Sequence, residues 1–282
     1  MQDSNALMSH ERRSDAALNQ LQARARYYFT PAEFAQLTER RAGSAAVTMA
    51  LHRLAKRGRV VALTRRPPGY LIIPPEHASF GAPPFSWWID DCMKGIDPHY
   101  YVGLLTAAQH WGSAHYARQD VQVLVARVRP SLTPGRLKIT FVEKRGLETT
   151  PTVSVSGGIA PWRVSTRAAT VLDFLRHQET IGGLEAVVRV LRDLAPSIEP
   201  PELRAALGGL GQRSTAQRLG FLLDQLGKRR LSRVVSSWLG ERGHRVPQQL
   251  ELGTIPSRRL KTDRLWNVAF DPARVKLALE LQ

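Results

Sequence analysis

The residues best suited to chemistry in this chain are cations and small polar side chains gathered between Arg40 and Arg66. Ser44 can cap a helix running to about Arg57. In that helix Val47, Leu51 and Leu54 recur at i, i+4 and i+7, which makes one apolar stripe. The opposite face carries Ala45, Thr48, Met49, His52 and Lys56, with Arg53 at its edge and no acidic residue among them. Such a face suits the floor of a DNA major groove. Thr and His can hydrogen-bond base edges, Met offers an apolar contact, and Arg53 can take a base or a phosphate. Arg40 and Arg41 precede this helix, and Arg65 and Arg66 follow it. Their forked guanidinium groups match phosphate oxygens.

These side chains must be positioned by what surrounds them. Thr30-Pro31-Ala32-Glu33 reads as an N-cap, a proline at the first helical position and a helix start. A turn through Arg40-Arg41-Ala42-Gly43 joins that short helix to the second, and Gly58 stops the second. Val60–Thr64 and Tyr70–Ile73 then read as strands around a turn at Arg65-Arg66-Pro67-Pro68-Gly69. Helix, turn, helix and basic hairpin form the winged helix-turn-helix pattern, in which the second helix enters a groove and the wing touches phosphates. A helix over Ser14–Tyr28, with Leu18, Leu21, Ala25 and Tyr28 on one side, is expected to complete a three-helix core, and Met1–Arg13 is expected to be mobile. Pro74-Pro75 and Gly81-Ala82-Pro83-Pro84 mark a stiff linker. The expected division is a winged-helix domain over 1–80 and a second domain over 81–282.

Composition sets the class. The 282 residues are 43% hydrophobic and 23% charged, a normal globular balance. Lys and Arg number 40 against 24 acidic residues, giving +16 and a pI near 10.9. That excess calls for a polyanionic partner, nucleic acid or an anionic membrane surface. Up to Phe80 there are 12 basic and 6 acidic residues. With Cys92 alone, no disulfide within the chain is possible, and Trp87, Trp88 and Ile89 nearby point to a packing role for it. The first residues lack the apolar core of a signal peptide. No run approaches the ~20 apolar residues of a membrane span, so the expected location is the cytoplasm, with no membrane partner.

Beyond the linker, Phe85–Asp91 and Tyr100–Trp111 read as helices. Val121–Val128, Leu137–Val142, Thr152–Val155 and Trp162–Val164 read as strands, and Ser165 or Thr166 caps a helix through Leu175. Residues 84–180 therefore form a mixed α/β part. Residues 181–282 are mostly helical, over Leu184–Leu194, Leu203–Leu207, Ala216–Leu226 and Leu231–Leu239. The fold class is α+β: a winged helix followed by a larger mixed α/β domain with a helical tail. From Glu202 to Arg264 there are 13 basic and 5 acidic residues. Its dense spots are Lys228, Arg229 and Arg230, then Arg258, Arg259 and Lys261, a second candidate basic patch.

Residues that could run a reaction are poorly arranged. Nucleotidyl transfer needs a Gly-Ser turn and two metal-binding carboxylates at alternating strand positions. Gly112-Ser113 and Asp120 are present, but position 122 is glutamine. Asp90 and Asp91 would diverge by about 100° on a helix. His110 and His115 are five apart, off the spacing for a shared zinc on one helix face. No phosphate loop or nucleophile elbow is found. The expectation is a protein without catalytic residues, metal or cofactor.

One resemblance is specific. Tyr100-Tyr101-Val102-Gly103-Leu104-Leu105-Thr106-Ala107-Ala108, then His110-Trp111-Gly112-Ser113-Ala114-His115 and Gln122-Val123-Leu124-Val125, closely resemble the central block of AbiEi-type antitoxins. Val164–Asp173 is similar to that family's later helix ending in Leu-Asp. These proteins are antitoxins and transcriptional regulators of bacterial type IV toxin–antitoxin systems. The resemblance implies a winged helix that binds inverted repeats of double-stranded DNA in the protein's own promoter as a repressor. It also implies a second domain that counters a nucleotidyltransferase toxin, directly or functionally. Two other classes of function remain open to the sequence: a nucleic-acid-processing enzyme with a basic substrate track, and a plain winged-helix regulator with no toxin partner.

Overall fold

The computed structural model describes residues 2–113, 120–156, 158–243, 246–252 and 260–280. It begins with α1 (Gln2–Ala23), a strand β1 (Tyr28–Phe29), α2 (Pro31–Leu37) and α3 (Ala45–Lys56). The hairpin strands β2 (Val60–Arg65) and β3 (Pro68–Ile72) follow, and β1 joins them in the order β1-β3-β2. Helix, helix and hairpin thus come in the order that the sequence predicts. Two details differ. The helix expected over Ser14–Tyr28 starts at Gln2, so residues 2–13 of the stretch expected to be mobile are helical. It also ends before Tyr28, because Ala25 turns left-handed at φ 58 and Arg26 closes back on the Leu21 carbonyl. Tyr28 and Phe29 then pair with Leu71 and Tyr70, a strand that a helical reading could not show.

The second part is built on a five-stranded sheet. Its strands are β4 (Tyr101–Val102), β5 (Asp120–Val125), β6 (Lys138–Glu143), β7 (Thr152–Val155) and β8 (Trp162–Ser165), in the order β6-β5-β4-β8-β7. The pairs β5–β6 and β4–β8 are parallel. A short helix α4 (Ile89–Lys94) precedes the sheet, and α5 (Leu104–His110) follows β4. Two expected helices are corrected here. Phe85–Trp87 is one 3-10 turn, and α4 starts only at Ile89. In the segment expected to be helical over Tyr100–Trp111, Tyr101 and Val102 are a central strand, leaving Leu104–His110 to the helix. Two residues between Gly103 and the preceding turn are too few for a period to show.

The sheet has two differently covered faces, as period-two alternation requires. Val121, Val123 and Val125 of β5, with Val102, Ile139, Phe141 and Val164, belong to the same apolar cluster as the N-terminal core of Leu18, Phe34, Leu51, Leu54 and Leu71. Tyr101 and Leu124 point the other way, into a helical cluster. That half comprises α6 (Arg167–Arg176), α7 (Gln178–Ile181), α8 (Gly183–Leu194), α9 (Pro200–Leu210), α10 (Arg213–Gln225) and α11 (Arg229–Gly240). The unbroken burial of Thr215–Leu223 makes α10 a central helix, apolar contacts covering it all round. A small sheet of β9 (Gln248–Gln249), β10 (Lys261–Asp263) and β11 (Val268–Phe270), then α12 (Pro272–Glu280), close the chain. Trp266 lies flat on Gly220 of α10, where a Cβ would come within 2.1 Å of its ring.

Candidate nucleic-acid interface

Local chemistry sets α2 and α3 in place. Thr30 caps α2 and accepts from the Glu33 amide, while the Glu33 carboxylate accepts from the Thr30 amide at 2.8 Å, a reciprocal capping box. Ser44 caps α3 through its hydroxyl, which accepts from the Val47 amide. Val47, Ala50, Leu51 and Leu54 are buried against the domain. Thr48, Met49, His52 and Lys56 are exposed, with Met49 half accessible, and Arg53 is half-buried at the edge. The polar face read from the sequence is therefore a solvent face on one side of α3. Ser44 stands at its start, but its hydroxyl already serves the cap. Arg41 is exposed in the turn before α3, and Arg40 is half-buried beside Arg53.

The hairpin is tighter than its sequence suggests. Arg65 pairs with Pro68, leaving Arg66 and Pro67 as the turn, with a cis bond between them. Both arginines are exposed. Behind them the Thr64 hydroxyl donates to the Pro67 carbonyl at 2.7 Å and meets the Tyr28 hydroxyl at 3.1 Å. Gly69 is required there, since a Cβ would lie 2.0 Å from the Tyr28 oxygen. Pro67 also leans on the end of α4, within 3.3 Å of where a Cβ on Gly95 would stand. The wing is braced on both sides, so its arginines need little ordering to reach a polyanion. Arg65→Ala and Arg66→Ala are each expected to weaken specific and random duplexes by the same factor. Each should flatten the plot of log affinity against log salt by about one unit, measurable by fluorescence anisotropy. A change in the preferred sequence would instead make the wing a base reader.

The second basic patch is only partly free. Arg230 pairs with Glu199 at 3.0 Å. Lys228 and Arg229 sit at the start of α11, whose first turn has no acidic residue, an unfavourable place for cations at the positive pole of a helix. Arg233, not singled out in the sequence, lines the same shallow cleft as Arg229. Lys261 is exposed on β10, and Arg258 and Arg259 fall outside the described residues.

The groups considered for catalysis have other work. Asp120 pairs with Lys138 at 3.5 Å, and Asp90 and Asp91 both meet Lys94 at 3.0 Å. Gln122, at the place where a second metal ligand would stand, accepts from the Leu105 amide at 2.8 Å and so caps α5. Cys92 is fully buried, and desolvation pushes its thiol up to about 12. His110 packs on Trp111 and Trp162, and His115 lies outside the described residues. Among the described residues no group of three or more His, Cys, Asp or Glu could hold a metal, and no helix is long and apolar enough to cross a membrane.

The motif residues of the second part act as ties between elements. Ser113 donates to Asp193 of α8 at 2.5 Å, and the Trp111 indole donates to the Ser165 carbonyl at 2.9 Å. Tyr101 donates to Asp173 at 2.7 Å, and Lys144 donates to both, at 2.5 Å to the phenol oxygen and 2.7 Å to the carboxylate. The Lys144 and Asp173 side chains are fully buried. Burial, working against the attraction of Asp173, holds the Lys144 ammonium below its ordinary pKa. This closed network joins β4, the end of β6 and α6, and solvent does not reach it.

Residues 101–225 match the family model of the AbiEi antitoxin C-terminal domain. The comparison with curated proteins returned no match. Among solved structures, the crystal structure of the RV2827C protein from Mycobacterium tuberculosis is similar with a TM-score of 0.60 and 17% identity, covering 89% of this chain and 88% of that one. At that identity the likeness is one of fold, and it extends over both halves of the chain. The resemblance carried by Tyr100–Ala108 and Val164–Asp173 agrees with this match, and an AbiEi antitoxin C-terminal domain over residues 101–225 supports an antitoxin role within a toxin–antitoxin system.

Proposed function

We propose that this protein represses its own promoter through residues 1–80 and counters a nucleotidyltransferase toxin through residues 81–282. The observation that carries the first half is the α3 face, where Thr48, Met49 and His52 are exposed on a helix with no acidic residue of its own, with Arg40 and Arg41 before it in the chain and the braced Arg65 and Arg66 after it. Thr48 and His52 read base edges, Met49 makes an apolar contact, and the arginines hold the phosphates. The inverted repeat would place two copies of the chain on one operator, each α3 in a major groove. The antitoxin role rests on the family of residues 101–225. The exposed cations Arg229 and Lys261, with half-buried Lys228 beside Arg229, favour an acidic surface or a nucleic acid as what the second part meets.

The double change Thr48→Ala and His52→Ala tests the repressor half. Both side chains are exposed, so folding should be unaffected. Each good base contact is worth about 1–3 kcal/mol, so affinity for the promoter should fall at least tenfold, with random duplex little changed. An unaltered gel-shift on the upstream DNA would remove α3 as the reading helix. The antitoxin half is tested by co-expression with a toxin of the nucleotidyltransferase class. Growth should be restored by the full chain and by the double variant alike.

A further inference from the structure

A cleft of about 200 Å³ lies between α1 and α3, at the rim of the proposed reading face. Its polar lining comes from three separate elements: Ser14 and Glu11 of α1, Arg40 of the turn before α3, and Arg53 and Arg57 at α3 and its end. Arg57 is tied to Asp15 at 3.4 Å, so Glu11 is the one carboxylate among the lining residues. The Nη1 of Arg40 is buried and has no hydrogen-bond acceptor among the described residues. Its guanidinium lies low in pKa, first because it is desolvated and then because Arg13 and Arg53 are close.

Positive charges crowd here with too few acceptors, and a buried donor left unpaired is costly. An anion with several oxygens would satisfy the Arg40 fork and relieve the repulsion at once. A phosphate fits this demand best, because guanidinium groups bind it bidentately and keep their charge at any working pH.

We propose that this cleft is a phosphate-binding site centred on Arg40, and that in the DNA complex it seats one backbone phosphate between α1 and α3. The second clause rests on the DNA-binding reading above; the first does not. It makes α1, with Arg13, a part of the nucleic-acid interface, where the sequence marks only α3, the arginines of the turn before it and the wing. A free phosphate compound could occupy the same cleft, and then it would compete with DNA.

The test uses the full chain with two substitutions, Arg40→Gln and Arg53→Gln, each checked for native circular dichroism and melting in chloride. Inorganic phosphate at matched ionic strength should raise the Tm of the unmodified protein and leave that of Arg40→Gln unmoved. Both variants should bind promoter and random duplexes more weakly by a common factor, with the salt slope reduced by about one unit. Phosphate protection lost in the variants with duplex binding unchanged would keep the site and assign it to free phosphate compounds. Equal or absent protection in all three proteins, with unaltered salt slopes, would overturn it. Failure of the DNA-binding reading looks different, since the unmodified chain would then bind no duplex and the melting experiment alone would decide.

Discussion

Asp173→Ala is expected to destabilise the protein by about 3–5 kcal/mol, more than any exposed substitution considered above. Asp173 and Lys144 are fully buried and 2.7 Å apart, and Tyr101 donates to the same carboxylate. Removing the carboxylate leaves an ammonium in the core with only a phenol oxygen and the Tyr101 ring, 5.1 Å from its nitrogen, for company. The ammonium must then deprotonate or draw water in, and either course loosens the contact of α6 with the sheet. Thermal melting should show a fall on the order of 10 °C, at roughly 2–4 °C for each kcal/mol in a chain of this size. Lys144→Met together with Asp173→Leu should recover most of the loss, because a well-packed apolar pair avoids both desolvation costs. A single Asp173→Ala variant that melted within a degree or two of the parent would show that the network is not closed to water.

This network also marks where reading the sequence stops. Tyr101 and Asp173 lie inside the two motifs that carry the antitoxin resemblance, yet neither motif shows that they meet 72 residues apart. Lys144 lies in neither motif. Its position after β6 looks like any lysine at a strand end, and only the parallel pairing of β5 with β6 turns it inward. The elements that were legible are those whose signal is local. Thr30 with Pro31 and Glu33, Ser44 with the stripe Val47, Leu51 and Leu54, and Thr166 before α6 each announce a helix through adjacent residues. The elements that were missed are short strands made by distant partners. β1 exists because Leu71 and Tyr70 offer it an edge, and β4 because it lies between β5 and β8. In the candidate interface the exposed face of α3 and the two wing arginines could be read. The charge of Arg40 could also be read, but its lost acceptor and its proximity to α1 could not, since α1 was expected to begin only at Ser14.

Cutting the chain at Pro84 is the second large effect expected. The proline-rich stretch from Pro74 to Pro84 looks like a linker between independent domains, but it is packed into both. Ala82 is buried, the Trp88 indole donates to the Pro83 carbonyl, and Arg136 donates its amide to the Phe80 carbonyl. Gly81 and Gly135 approach so closely that a Cβ on Gly81 would fall 2.7 Å from the other backbone. Across the junction the Tyr27 and Trp87 rings meet at a tilt with centroids 4.9 Å apart, and Arg26 bridges Glu33 and Asp91. One apolar cluster runs from the core of the N-terminal helices and hairpin to Val121, Val123 and Val125 of the sheet. The two halves thus divide the proposed labour without dividing the core. A fragment from Pro84 to Gln282 would expose one whole face of that sheet, and exposed apolar surface of this extent drives collapse or association. The fragment should bind a hydrophobic dye, lose near-ultraviolet circular dichroism and be digested far faster than the full chain. The full chain, by contrast, should unfold in one transition by heat and by denaturant alike. Loss of protection against the toxin in that fragment would therefore report misfolding, and the two roles must be separated by point changes such as Thr48→Ala with His52→Ala. A fragment that stayed monomeric, protease-resistant and protective would show instead that the winged helix is an appended module whose contacts with the sheet contribute little.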